Sequence, residues 1–502
     1  PYSWFRSTWG GGGRSKTEVG YTRNINPRWN FGGNYKSYLA DKQVQKLRRG
    51  DRNVESIGYN FFTSYRSKNE KYWLFSSFDR TKHQQFEQGG LSVSDSSNID
   101  LFFSDYVGTF MSTAKSIFFK NNVHLYHDYR LSEFFRFFHT LDREKRTASF
   151  TADQTSDDIN FFDNIEIVSL KKEEEDFNKF TELNNRLGVN GAAKNFYYSA
   201  YIQRRDIKME YQWMNTDSLG IKTKNAEHYA GFESGWKVKD LFIAQIEGKV
   251  MLNGGSQFKG EVSSKWLEGK ASRTVYLPSF YQYAYRGHYD YWNFNYDLST
   301  HTHYNVTGIL GVKGITLKPH FEYNIFDNYI AFKKINNIKG AQNVFPIQGN
   351  GYIMTAIPGV SLELKYKKLT YEGTIKNIQQ FGESAFLMPM PEWYLWSRLT
   401  LHSFFFKDNL EIQAGVQVHW KSDFYAMAYD PAIQQFYVQN EFLVKNYWLT
   451  GVFMNAKVKR GLIFIRFNNL RQLLNPTGYI STPYYRGEGP LFDFGFKLPF
   501  YD

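Results

Sequence analysis

Apolar and polar positions alternate along most of the chain, and the alternating runs come in pairs joined by very short polar turns. In the clearest pair Val360, Leu362, Leu364 and Tyr366 share one face, with Ser361, Glu363, Lys365 and Lys367 on the other. After Lys367-Lys368 the apolar face resumes with Leu369, Tyr371, Gly373 and Ile375, and the polar face with Thr370, Glu372, Thr374 and Lys376. A period of two on both sides of a two-residue turn predicts a β-hairpin. The pattern recurs across Lys313-Gly314, Lys407-Asp408-Asn409 and Lys459-Arg460-Gly461. It predicts further turns at Asn24 to Pro27, Lys68-Asn69, Ser132-Glu133, Lys194-Asn195, Lys239-Asp240 and Leu267 to Gly269. Gly, Asn and Asp supply the left-handed backbone that such turns need.

A second kind of connection, at 86–117, 151–182, 279–290, 326–350 and 471–489, is long and irregular. Tight turns alternating with long loops mark an outer-membrane barrel with short periplasmic turns and long external loops. Ten tight turns, with both ends of the chain on the turn side, give about 22 strands in a range of roughly 18 to 22. The fold class is therefore all-β: a closed antiparallel transmembrane barrel, one domain over residues 1–502. Helical periodicity is scarce. The run Lys171-Lys172-Glu173-Glu174-Glu175-Asp176 reads as a solvated segment or a short helix inside a loop. Gly10 to Gly13 is too short for a linker and reads as a turn. Pro1-Tyr2-Ser3-Trp4 has neither the basic start nor the apolar run of a signal peptide, and a segment preceding Pro1 is left open. Hairpins begin within the first 30 residues, so no transporter-type plug is expected.

Composition sharpens this picture. Mean hydropathy is −0.53, and no run of about 18 apolar residues occurs, which excludes a membrane-spanning helix but not a spanning barrel. Cys is absent, so there is no disulfide framework and no Cys-ligated metal site. Aromatics make up 19% of the chain. They crowd predicted strand ends at Trp393-Tyr394 with Trp396, at Tyr197-Tyr198 with Tyr201, and from Phe280 to Tyr296. Amphipathic rings favour the headgroup level, so these groups predict an aromatic girdle. A soluble propeller or multi-sandwich protein with sugar-binding platforms would also alternate. It would not carry apolar faces over nearly the whole chain with no helices to cover them.

The last strand reads Asp493-Phe494-Gly495-Phe496-Lys497-Leu498-Pro499-Phe500. It resembles the signal by which outer-membrane barrels are recognised by their assembly machinery. By that resemblance Asp493, Gly495, Leu498 and Phe500 are the signal positions, with Tyr501-Asp502 trailing where the signal usually ends. Pro391 to Phe406, Gly461 to Leu470 and Gly487 to Phe492 extend the likeness. Over its C-terminal two-thirds the chain resembles the putative porin family of Bacteroidota, which implies an outer-membrane barrel without establishing conduction.

Catalytic constellations are few. Gly10 to Thr17 imitates a phosphate loop, but Ser15 stands where Gly is required before the Lys, and no buried strand leads in. His301 with His303 could form a metal clip and reads better as a solvated or lumen-facing pair. Ser403 cannot act with His402, because strand neighbours point to opposite faces. Ser397 or Ser403 against His419 is left open. The chain is read as a non-enzyme with no catalytic, cofactor or metal site.

The net charge of +12 suggests nucleic acid by reflex. Lys and Arg are spread through turns, polar faces and loops, however, so no nucleic-acid partner is expected. Glu247, Lys249, Lys318, Glu322, Lys365, Glu372, Lys376 and Glu411 are expected to face the lumen, either as a conductive lining or as a salt-bridged filling. Expected partners are outer-membrane lipid and lipopolysaccharide, the barrel assembly machinery, and lipoproteins or other outer-membrane barrels. The leading function is a porin in the bacterial outer membrane, passing small polar solutes with a modest anion preference. The alternative is an accessory barrel subunit of an assembly such as the type IX secretion translocon, docking through the Phe-rich, acidic loops 86–117 and 151–182.

Overall fold

The computed structural model describes residues 1–42, 44, 52–104, 106–153, 161–162, 173–211, 223–239, 241–252, 254–287, 289–334 and 344–501. Twenty-two antiparallel strands form one closed sheet. In chain order they are β1 (Tyr2–Gly10), β2 (Arg14–Asn26), β3 (Trp29–Asp41), β4 (Arg52–Arg66), β5 (Tyr72–Phe86), β6 (Lys115–Ser132) and β7 (Phe135–Asp153). Next come β8 (Glu173–Ala193), β9 (Phe196–Tyr211), β10 (Lys224–Val238), β11 (Phe242–Met251), β12 (Ser256–Ser264) and β13 (Leu267–Tyr276). β14 is broken into Ser299–Gly308 and Leu310–Val312, and is followed by β15 (Ile315–Asp327) and β16 (Ile353–Tyr366). β17 is likewise broken into Leu369–Asn377 and Gln379–Phe381. The circuit ends with β18 (Trp393–Phe405), β19 (Leu410–Lys421), β20 (Leu449–Val458), β21 (Gly461–Asn468) and β22 (Leu491–Tyr501). Each strand pairs with its sequence neighbour, and β22 returns to β1 from Tyr2↔Tyr501 to Gly10↔Asp493. Closure leaves no unpaired edge, as lipid requires.

All ten tight turns lie at one end of the barrel with both chain ends, and their number fits the 22 strands seen. Two turns are displaced from their expected places, and at the first Asn24 to Asn26 still belong to β2 while Pro27-Arg28 make the turn. The hairpin between β12 and β13 turns at Lys265-Trp266, and Leu267 already begins a strand. Ser264 Oγ accepts from the backbone N–H of Trp266 at 3.2 Å and of Leu267 at 3.0 Å, which closes the turn early. The Lys171–Asp176 segment is not helical where it is described: Glu173 to Asp176 open β8. Lys171 and Lys172 lie outside the described residues, as do 154–160 and 163–170 of the long loop there. Gly11 to Gly13 form a turn, and Arg14 to Thr17 run straight into β2 without a helix.

Register carries one parity around the whole circuit, so the sheet has a polar face and an apolar face. On β19 the polar face holds Glu411, Gln413, Gln417 and His419, and the apolar face Leu410, Ile412, Ala414, Val416 and Val418. Rings on the polar face lie across glycines of the neighbouring strand. A Cβ on Gly231 would sit 2.3 Å from the ring of Tyr201, its direct cross-strand partner.

The tall strands β6 to β9 show where the apolar belt stops. On β9 the apolar face runs Phe196, Tyr198, Ala200 and Ile202. Above these it changes to Arg204, Asp206, Lys208 and Glu210, which pair with one another and with Lys179. Six residues of strand span about 20 Å, near the height of a spanning apolar band.

Candidate functional site

The polar face is built of ion pairs between neighbouring strands. Arg205 on β9 reaches Glu182 on β8 at 2.8 Å and Glu227 on β10 at 3.0 Å. Arg398 holds Glu372 at 2.5 Å, Lys120 holds Glu144 at 2.8 Å, and Arg14 holds Asp493 at 2.6 Å. The first four pairs join adjacent strands, the geometry in which opposite charges attract across a ladder, and Arg14 reaches Asp493 across the intervening Gly10 of β1.

The register sets all eight residues singled out from the sequence on this polar face. Glu411 meets His402 at 3.0 Å and Lys457 at 3.5 Å. Glu322 lies 3.6 Å from His303. Lys365 pairs with Glu363. Lys249 Nζ stands 4.1 Å over the ring of Tyr229, and Glu247 lies opposite both Lys259 and Glu233. Lys318 stands opposite Ser361, and Lys376 opposite Tyr394. His301 accepts or donates at 3.1 Å with Asn324 and stacks on Phe326 at 4.2 Å. Ser397 and Ser403 sit on the apolar face, whereas His419 sits on the polar one, so the Ser–His pairing left open by the sequence does not form.

The mouth opposite the tight turns is covered by a cap that the sequence does not announce. Val344–Gln348, Ile330–Lys334, Gln435–Val438 and Ala428–Asp430 form a separate four-stranded sheet from two long loops, joined by a parallel contact at Phe332↔Tyr437. The loop 422–448 that contributes half of it is absent from the connections expected to be long. Its strands pair within the cap instead of extending the barrel.

The cap packs on the polar face of the wall. Tyr285, Trp292, Phe332, Val344, Ile433 and Tyr437 form one apolar core with Met209 and Tyr211 of β9. Trp292 Nε1 donates to Tyr281 O at 2.9 Å, Tyr281 Oη to Ile433 O at 2.7 Å, and Tyr211 Oη to Ala284 O at 2.5 Å. The Phe280-to-Tyr296 aromatics, expected as girdle, are largely this core: Tyr285 and Trp292 are buried, and burial outweighs the headgroup preference of a ring that finds partners inside. The other expected girdle groups are divided by strand alternation. Trp393 and Tyr198 lie on the apolar face, whereas Tyr394, Trp396, Tyr197 and Tyr201 lie on the polar face. Phe102, in the loop expected to dock partners, is fully buried in a neighbouring core with Leu91, Val444 and Ile480.

Three carboxyls are sealed where cap meets wall. Glu87 follows β5 and accepts hydrogen bonds from Ser116 and from Tyr429, the latter at 3.3 Å. Asp430 accepts from the backbone N–H of Ala432 at 2.9 Å. Burial pushes Glu87 up to about 7 against the pull of its two donors, and pushes Asp430 up to about 6. Burial and then the negative charge of Asp430 hold Asp290 well above the ordinary carboxylate range. Beside them lies a cavity of about 540 Å³ walled by Phe110, Phe161, Phe386, Tyr437, Phe442 and Tyr484, with Lys333 and Lys334 on its lining. No local sequence signal marks this site, because the residues of its cavity alone come from six separate loops.

Closed circuit, apolar belt, tight turns at one end and loops at the other define a bacterial outer-membrane β-barrel. The family described as "Putative porin" matches residues 1–502, and the chain belongs to that family. No curated protein matches the chain in sequence. Among solved structures it is similar to the FrpB iron transporter of Neisseria meningitidis, with TM-score 0.66 and 10% identity over 99% of this chain and 81% of that one. It is also similar to the ferric enterobactin receptor PfeA of Pseudomonas aeruginosa, with TM-score 0.68 and 11% identity over 99% and 81%. The siderophore receptor PirA of Acinetobacter baumannii gives TM-score 0.66 and 11% identity over 99% and 80%. At such identities the likeness concerns the fold alone.

Proposed function

We propose that the barrel is a pathway for small polar solutes moving down their gradients across the outer membrane, with the polar face as its lining and the cap deciding what enters. The supporting observation is that the face carrying the cap is the polar one on every strand. The bore of a closed 22-strand cylinder is too wide for its own side chains to fill. On this reading Glu247, Lys249, Lys318, Glu322, Lys365, Glu372, Lys376 and Glu411 line it, and Glu322, Lys365, Glu372 and Glu411 are in ion pairs. Planar-bilayer recording tests this: stepwise conductance is expected, larger when the cap core is weakened by Trp292→Ala. Silence of both proteins in several salts would sink it.

The mouth cavity supports a second reading. Aromatic walls with two lysines suit an anionic solute with flat apolar faces, captured before passage. The iron transporter and siderophore receptors that share the fold make capture of a bulky anion a fitting comparison. Tight binding of aromatic carboxylates without conductance would favour capture; conductance without binding would favour diffusion.

A further inference from the structure

The +12 charge is concentrated in one place. The ten tight connections are 27–28, 67–71, 133–134, 194–195, 239–241, 265–266, 313–314, 367–368, 406–409 and 459–460. Together they hold twelve Lys or Arg against four Asp or Glu, while the rest of the chain holds 49 against 45. Nine of the ten carry at least one cation, so the excess encircles the rim instead of forming a patch.

These cations differ from those of the wall. Many wall lysines and arginines, Lys120, Arg205, Lys259 and Arg398 among them, are in ion pairs. Among the described residues, no ion pair takes up any of the twelve turn cations, and two of the turn acids, Glu70 and Glu133, are engaged by the strand-end residues Arg66 and Arg130. Several turn cations stand over exposed rings instead. Lys265 lies 4.5 Å over Trp266, Lys367 5.3 Å over Tyr366, and Arg460 4.5 Å over Tyr501. Phe134, Leu241 and Phe406 are exposed in the same turns.

The backbone adds an independent sign. Lys194, Lys239, Lys367, Lys407 and Lys459 all have left-handed backbone, with φ of 45°, 46°, 53°, 55° and 52°. Gly and Asn fill such positions with least strain, and Lys does not. Five times the hairpin accepts the less suitable residue, and what it gains is charge.

We propose that this rim is a collar for anionic phospholipid headgroups, holding the barrel at a set depth in the periplasmic leaflet. Unpaired like charges crowded on a ring need counter-charge from outside the chain. Rings and apolar side chains interleaved with the cations suit the boundary between headgroups and acyl chains, where Trp and Tyr settle, and Lys and Arg are drawn to anionic lipid there. An acidic macromolecule in the aqueous phase would ask for a patch on one side and no exposed apolar residues. An even ring matches a shell of lipid.

The test uses the whole protein in bilayers of phosphatidylcholine with spin-labelled phosphatidylglycerol or phosphatidylcholine as probe. The variant K194N/K239N/K367N/K459N removes four charges while installing a residue suited to left-handed turns, so it should fold, as heat-modifiable gel mobility would verify. The control K16Q/K120Q/K259Q/K457Q removes four ion-paired lysines of the polar face. Wild type should select the anionic lipid in its first shell by roughly twofold or more at low salt and lose the preference at high salt. The turn variant should lose at least half of that preference, and the control should keep it. Equal shells for the two lipids in wild type, or a loss as large in the control, would overturn the proposal. So would turn-dependent binding of soluble polyglutamate without any lipid preference, which would assign the rim to an acidic polymer.

Discussion

The phenol of Tyr429 donates to the carboxylate of Glu87 at 3.3 Å, tying loop 422–448 to the end of β5 across 342 residues of chain. This bond fastens the cap to the wall at a group that burial has made a weak acid.

Cap stability should therefore depend on pH. Glu87 is raised to about 7 and Asp430 to about 6, so between about 4 and 7 the folded cap binds more protons than the open one. Stability from these groups is full below the open-state carboxylate range of about 4 to 4.5 and is lost as pH rises through 6 to 7. Lys334 opposes this at Asp430, and Asp290 reinforces it. Hydrogen exchange of residues 428–438 should be slower at pH 5 than at pH 8, and Glu87→Gln should flatten the difference. An exchange rate that falls with rising pH, after correction for intrinsic chemistry, would contradict it.

Neighbouring residues on β19 should respond oppositely to one substitution. Val416→Arg puts a charge on the apolar belt and should cost about 2–4 kcal/mol near mid-membrane. Gln417→Arg places it on the polar face and should cost under about 0.5 kcal/mol. Urea unfolding in lipid vesicles measures both, and equal costs would mean the faces are misassigned.

Arg205→Met would leave Glu182 and Glu227 facing each other without their shared cation. The site is partly open to water, which lowers the loss to about 1–3 kcal/mol. The double variant with Glu227→Gln should recover part of it by relieving the repulsion, and a cycle of wild type, the two single variants and the double reads the coupling.

Assembly separates seam packing from recognition. A Cβ on Gly495 would stand 2.4 Å from the ring of Phe464 and 2.5 Å from the backbone O of Ser7. Gly495→Leu should therefore block closure of β22 onto β1 even in refolding with detergent alone. Phe500→Ala removes only an exposed ring, and we propose that it slows assembly in cells while leaving detergent refolding unchanged. Equal behaviour in the two settings would remove the assembly-signal role from Phe500, and with it the case for Asp493 and Leu498.

Strand number, turn positions and the side of the sheet on which Lys318 or Leu317 falls were legible from the chain alone, because each rests on a two-residue period and on turn residues close in sequence. The Lys265-Trp266 turn was misplaced because a Ser264 hydroxyl, not a Gly, closes it. Tertiary structure alone decided the cap. Ala428–Asp430 is too short to read as an element of its own, and Phe280 to Tyr296 is as aromatic as a girdle. What turns both inward is contact with the wall: Tyr211 bonds Ala284 O across 73 positions and Gln434 bonds Ser149 O across 285, partners that come within reach only once the cylinder has closed.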